Sequence, residues 1–267
     1  MSPLRARAAV LAAAAFASLA AMGQTPVIVY AAGSLRAPLT AVADAFAQAP
    51  GGGPAKLTFG ASGLLRDRIA GGEPADVFAS ANMEHPAALA GKGWTADVRP
   101  FARNQMCVLA GPRVPVTTDN VLDVLLDPRW KLGTSTPKAD PSGDYAWDVF
   151  RKADTLRPGA YAVLDARALK LTGGPSSPPP PPDRSVYGVL VANGDADVFL
   201  TYCTNARQAV VEQPALSSVA LPANLAVGAT YGIAVRRGSA AEATRFVAFL
   251  LSPGGQRVLA QFGFDPP

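Results

Sequence analysis

The feature that most constrains this chain is an alternation: short runs dense in β-branched and apolar residues are followed repeatedly by stretches with apolar residues at helical spacing. PVIVYAA is strand-like, and after it Leu35, Leu39, Val42 and Phe46 fall on one helical face. KLTFG predicts a second strand, LLRDRIA a short helix stopped by Gly71 and Gly72, ADVFAS a buried strand, and PAALAGKG a helix with a glycine stop. The theme repeats in NQMCVLAG, NVLDVLLDP, WKLGTST, DYAWDVFRKA, SVYGVLVAN and ADVFLTYCT, and ends in the strand TYGIAVRRG and two amphipathic helices. Repeated β-helix-β order predicts an α/β fold whose mostly parallel sheets are covered on both faces. One segment breaks the rhythm. TGGPSSPPPPPPDR cannot donate the backbone bonds of a helix or central strand and is read as an extended surface loop over residues 173–183.

The first residues read differently. Arg5 and Arg7 precede an apolar stretch from Ala8 to Ala21 and then small residues, the layout of a secretory signal over residues 1–23. That stretch is short for a membrane span. Cleavage after Ala20 or Gly23 lowers the formal net charge from +4 to +2, because both arginines leave with the signal. The remaining Lys and Arg are scattered and aromatics are few, which argues against a nucleic-acid partner. No cysteine stands near the end of the signal, so a lipid anchor is not expected. In an exported chain Cys107 and Cys203 are either a disulfide or two buried thiols. His85 is the sole histidine and no cysteines stand at ligand spacing, so neither a metal site nor a cofactor is expected. His85 itself reads as a surface residue at a helix start.

Chemistry in an open α/β sheet sits beyond the carboxyl ends of the strands, where helix N-termini offer unsatisfied N–H groups. Four such junctions here are rich in donors. YAAGSL carries Gly33 and Ser34, GASGLL carries Ser62 and Gly63, ADPSGDYA carries Ser142 and Gly143, and PDRSVYG has Asp183 or Ser185 as its cap. Each serine taken alone is explained by helix capping. Their recurrence across both halves of the chain points to one anion-binding cleft built from hydroxyls, N–H groups and helix dipoles.

These motifs resemble the periplasmic molybdate-binding proteins of ABC importers, within the type II solute-binding family. The likeness runs through VIVYAAGSLRAPLTAVADAF, FGASGLLRDRIAGGEPADVFASAN, ADPSGDYAWDVF, DADVFLTYCTNA and YGIAVRRG. It implies two lobes, one from residues 24–102 and 231–267 and the other from residues 103–230, closing on a tetrahedral oxyanion such as molybdate or tungstate. It further implies a periplasmic, monomeric receptor that delivers its ligand to a membrane permease and is not an enzyme. By position, Ser34, Ser62 and Tyr202 correspond to hydroxyl donors and Ser142 and Arg184 fall at or near backbone donors. Capping for the serines and core packing for Tyr202 are the plain alternatives.

Two departures stand out. Where relatives carry a run of serines this chain has Ala61-Ser62-Gly63, and charged residues crowd the junctions. Arg184 either faces the anion or is solvated beside the Pro-rich loop, and Arg36 poses the same choice. Asp140 or Asp144 facing the cleft would repel a fully ionised anion and favour a protonated one, as phosphate can be. A serine hydrolase is the rival class, yet GASGL is not a Gly-x-Ser-x-Gly elbow and His85 lies outside any serine motif. A binding protein with another ligand is the third option: an organic anion, or a metal held by tyrosines and carboxylates, for which Tyr145, Tyr187 and Tyr202 are available but lack ligand spacing.

Overall fold

The computed structural model describes residues 25–95, 97–181 and 183–267, so the expected signal lies outside it. Three parallel strands open the chain: β1 (Val27–Ala32) lies between β2 (Ala55–Gly60) and β3 (Val77–Ser80). Between them run α1 (Arg36–Gln48), entered through a 3-10 turn at Gly33–Leu35, and α2 (Ser62–Ala70). The expected helix after β3 is a single turn, α3 (Glu84–Ala87).

β4 (Arg99–Ala110) then joins the two halves. Over Arg99–Gln105 it pairs with β9 (Gly228–Val235), and over Met106–Ala110 with β7 (Val198–Tyr202) and β8 (Ser217–Ala220). The second half adds α4 (Val121–Leu126), β5 (Leu132–Ser135), α5 (Pro141–Leu156), α6 (Ala160–Arg167), β6 (Leu169–Thr172), α7 (Val186–Ala192) and α8 (Cys203–Glu212). Strand order is β2-β1-β3-β9-β4-β7-β5-β6, with β8 also on β4. The outer strands of each half are parallel, whereas β4 and β9 are antiparallel to their neighbours. That difference from a mostly parallel sheet follows from the connection: a strand that runs from one lobe to the other cannot be part of a right-handed β-helix-β repeat in either.

Helical periodicity is realised as packing. On α1, Leu39, Val42, Ala43 and Phe46 are buried against the sheet, and Phe46 meets Phe246 edge-on at 5.4 Å and Phe249 at 5.7 Å. Both partners lie on α9 (Ala241–Leu251), which with α10 (Pro253–Gln261) returns the C-terminus to the first lobe. In the second lobe Trp147 and Phe150 of α5 are buried, and Trp147 Nε1 donates to Asp165 Oδ1 of α6 at 2.7 Å.

Cys107 of β4 and Cys203, the first residue of α8, form a disulfide. The pairing of β4 with β7 makes this possible, since Cys107 stands opposite Thr201. His85, expected at the surface, is buried instead. Its N–H donates to Asn82 Oδ1 at 3.1 Å and its Nδ1 lies 3.1 Å from Arg66 Nη1, so the one-turn helix is tucked under α2. Burial, and then the Arg66 charge, hold its pKa down to about 4, so the imidazole is neutral.

Candidate functional site

The helix starts singled out in the sequence converge on one cleft of about 740 Å³. Ser34, Ser62, Asp140, Arg184 and Tyr202 all line it, as does Gly33. Ser142, Gly63 and Gly143 lie beside it rather than on its wall.

The serines do not act as caps. Ser34 sits within the 3-10 turn, Leu35 is the N-cap of α1, and no side chain caps that helix. Ser62 is the first residue of α2, one place past the N-cap Ala61, and again no side chain caps. Side-chain caps are supplied elsewhere, by Asp140 to Ser142 N–H and by Ser185 to Gly188 N–H.

What the hydroxyls do instead can be followed bond by bond. Gln105 N–H donates to Asn104 Oδ1, which orients the amide so that Asn104 Nδ2 donates to Thr204 Oγ1 at 2.8 Å and to Tyr231 Oη at 3.4 Å. Tyr231 Oη thus accepts from Asn104 and shares a hydrogen bond with Ser34 Oγ, 2.9 Å away, in which either hydroxyl can be the donor. Ser62 Oγ accepts from Ala81 N–H at 3.2 Å and retains a hydrogen to give. Tyr202 Oη is buried and has no partner among the described residues. A buried hydroxyl without a partner costs on the order of 1–3 kcal/mol, so this arrangement is stabilised by an acceptor arriving from outside.

Tyr202 is held by an aromatic row, with Tyr231 at 5.6 Å and Tyr145 at 6.2 Å between ring centres. Burial pushes its pKa well above the usual tyrosine value, and the neighbouring tyrosines and Asp140 add to the effect, so it stays a protonated donor. Tyr231 was not apparent as a site residue from its sequence context. Its partner Ser34 stands 197 residues away along the chain.

Not every expected donor is free. Ser142 N–H donates to Asp140 Oδ1 at 3.0 Å, and Gly143 N–H to the Asp140 carbonyl at 2.8 Å. The Ser142 hydroxyl, by contrast, is buried and unpartnered. Gly63 N–H donates to the Ala139 carbonyl at 2.9 Å, a bond from the first lobe to the second. A Cβ on Gly63 would stand 2.5 Å from the Lys138 carbonyl oxygen, so glycine is what lets the lobes touch.

Charge is placed around these donors. Burial raises the Asp140 pKa to about 6, and Ser142 N–H pulls the other way. Asp144, with its Oδ1 on Lys138 N–H, is also raised, mainly by burial. Arg36 is exposed over the Phe59 ring at 4.9 Å, and Arg184 is an exposed residue of the cleft lining. Among the described residues neither is paired with a carboxylate. No group of three His, Cys, Asp or Glu side chains among the described residues gathers at metal-ligand distance. The Pro-rich stretch, expected to be a surface loop, forms one wall of the cleft through Pro175 and Pro178–Pro181.

Residues 27–265 match the bacterial extracellular solute-binding protein family. The chain belongs to that family. An uncharacterized protein of Pasteurella multocida is 36% identical over 240 residues, covering 89% of this chain and 98% of that one. The molybdate-binding protein ModA of Mycobacterium tuberculosis is 28% identical, over 92% of this chain and 86% of that one. Among solved structures, the sulfate-binding protein SubI of Mycobacterium tuberculosis H37Rv superposes with a TM-score of 0.74 at 23% identity, covering 91% of this chain and 87% of that one. The architecture is the two-lobed solute-binding fold, with helices flanking a sheet that passes from lobe to lobe.

Proposed function

We propose that this solute-binding protein is an exported, monomeric receptor that closes its lobes over a tetrahedral oxyanion and delivers it to an ABC permease. The observation that carries the reading is the convergence on one cleft of three hydroxyls, Ser34, Ser62 and Tyr202, of which Tyr202 Oη is buried and without a partner among the described residues. Hydroxyl donors and helix dipoles can hold an anion without a formal countercharge, and they select for the number and direction of its oxygens. Arg184 and Arg36 both line the cleft and add long-range attraction, with charge-assisted bonding open to the Arg184 guanidinium.

Molybdate and tungstate are the inorganic ligands favoured by the likeness to ModA, and sulfate has the same shape. A second reading, a phosphate-like anion, is favoured by Asp140: a carboxylate on the cleft wall repels a fully ionised ion and accepts a proton from one that still carries it. The two outer lobes hinge where β4 exchanges partners, between Gln105 and Met106, and where the chain returns, at Val227 and Gly228. Binding to the closed form shifts the population toward it.

Calorimetric titration of the refolded, ligand-free protein with molybdate, tungstate, sulfate and phosphate tests the reading. Saturable one-to-one binding of at least one of them is expected. Absence of binding by all four and by their esters would remove the oxyanion assignment and leave the receptor fold standing.

A further inference from the structure

The cleft is far larger than the ion. At about 30 Å³ per water, 740 Å³ holds about 25 waters, and a five-atom tetrahedral ion displaces roughly three of them. The halves of the chain touch beside this cleft at the Gly63–Ala139 hydrogen bond. A volume of this size belongs to sites that bury an organic molecule.

The surplus space has a definite chemical character. The donor hydroxyls of Ser34, Ser62 and Tyr202 line it. Its apolar lining includes Phe59, Leu64 and the run Pro178–Pro181. Proline carries no N–H, so this wall offers an anion no backbone donor; it offers ring faces for packing and carbonyl oxygens that accept from hydroxyls. Gly173 seats the wall, since its φ of 75° and the 2.5 Å from its Cβ position to Asp140 Oδ2 both exclude other side chains.

Resting on the oxyanion reading above, we propose that the natural ligand is a small phosphomonoester: its phosphate is held by the donor hydroxyls and Asp140, and its carbon body lies along the proline wall. The phosphate head is favoured over molybdate or sulfate by its chemistry. A phosphomonoester has its second pKa near 6, so near neutral pH its singly protonated form is available to donate a hydrogen bond to Asp140. The raised Asp140 pKa, caused chiefly by burial, acts in the same direction by making one shared proton between carboxyl and phosphate easy to hold. Hydroxyls on the carbon body find acceptors in the loop's carbonyl groups, and its apolar edges find Phe59 and Leu64.

The test is titration of the refolded mature protein with inorganic phosphate, molybdate, glycerol 3-phosphate and glucose 6-phosphate. At least one ester is expected to bind tenfold or more tightly than both inorganic ions. A joint variant, Pro178→Gly, Pro179→Ser, Pro180→Gly and Pro181→Ser, is expected to weaken that ester at least fivefold more than inorganic phosphate. Molybdate or phosphate binding as tightly as every ester would overturn the proposal while leaving the oxyanion receptor intact. An ester advantage that survives the joint variant unchanged would overturn the proline wall as its source. Absence of binding by all four would overturn both readings together.

Discussion

Ser34 Oγ lies 2.9 Å from Tyr231 Oη, a bond between the turn after the first strand and the last strand of the sheet. Asn104 donates to the same tyrosine oxygen, so Tyr231 is held from the β4 side while it bonds to Ser34. Tyr231 therefore positions the Ser34 hydroxyl at the cleft. Ser34→Ala and Ser62→Ala should each weaken oxyanion binding by about 1.5 to 3 kcal/mol, the range for a hydrogen bond to a charged group. Since neither serine caps its helix, any stability loss should come from the partners left behind, Tyr231 Oη in the first variant and the buried Ala81 N–H in the second, and not from a lost cap. Paired calorimetry and denaturant melts measure both quantities.

Tyr231→Phe should weaken binding by less than Ser34→Ala, because the serine hydroxyl survives but loses its orientation. Combining Tyr231→Phe with Ser34→Ala should cost less affinity than the two single losses added together. A double-mutant cycle reads this coupling directly.

Affinity should depend on pH through Asp140, whose pKa is raised to about 6. Below that value the carboxyl is neutral and can donate; above it the carboxylate repels a dianion. Molybdate or sulfate affinity should therefore fall as pH rises through about 6. Asp44, Asp183, Arg36 and Arg184 line the same cleft; Asp144 is also raised by burial, and the tyrosines stay protonated over this range. Asp140→Asn keeps an N-cap for α5 and should flatten the profile. The same shift has a consequence for folding. A carboxyl with its folded pKa above the unfolded one contributes stability below about pH 4 that is lost as pH rises through about 6.

Gly63→Ala should favour the open form. Its Cβ would stand 2.5 Å and 2.8 Å from the carbonyl oxygens of Lys138 and Ala139, and only separation of the lobes relieves both contacts. Small-angle scattering should show a larger radius of gyration, with ligand affinity reduced and each lobe still folded. An unchanged radius with unchanged affinity would mean the Gly63–Ala139 contact is not needed for closure.

Reducing Cys107–Cys203 should lower stability substantially. The two cysteines are 96 residues apart in the chain, and chain-entropy reasoning puts the loss at about 4 to 5 kcal/mol, an upper figure where the unfolded state keeps structure. Because Cys203 follows Tyr202 directly, reduction should also weaken ligand binding. Melts and titrations with and without reductant separate the two effects.

Much of this was legible in the sequence, for identifiable reasons. The strand runs VIVYAA and ADVFAS and the helical face of Leu39, Val42 and Phe46 are local patterns, and they fold as they read. The four donor-rich junctions were visible because Ser and Gly stand at fixed offsets from those strands. What stayed hidden depends on distance. Nothing in the neighbourhood of Tyr231 reveals Ser34, and nothing in RPFARNQMCVLA reveals that one strand serves two lobes. The strands Leu169–Thr172 and Ser217–Ala220 are too short and too exposed to carry a period-two signal. Composition marked the prolines as a loop but not as a wall, since a loop's position over a cleft is a tertiary fact. His85 was misplaced for the same reason: a polar residue beside a proline reads as surface until α2 covers it.

The central claim is that the unpartnered cleft hydroxyl of Tyr202 awaits an anion, and Tyr202→Phe tests it most directly, because it removes one oxygen and leaves the aromatic packing. Titration of the wild-type and variant proteins, both refolded free of ligand, with molybdate, sulfate, phosphate and glycerol 3-phosphate makes the comparison. Whichever anion binds best should lose at least tenfold in affinity, while stability is unchanged or slightly raised because a buried, unsatisfied hydroxyl is gone. Equal affinity in the two proteins would contradict it and return Tyr202 to the core as a packing residue.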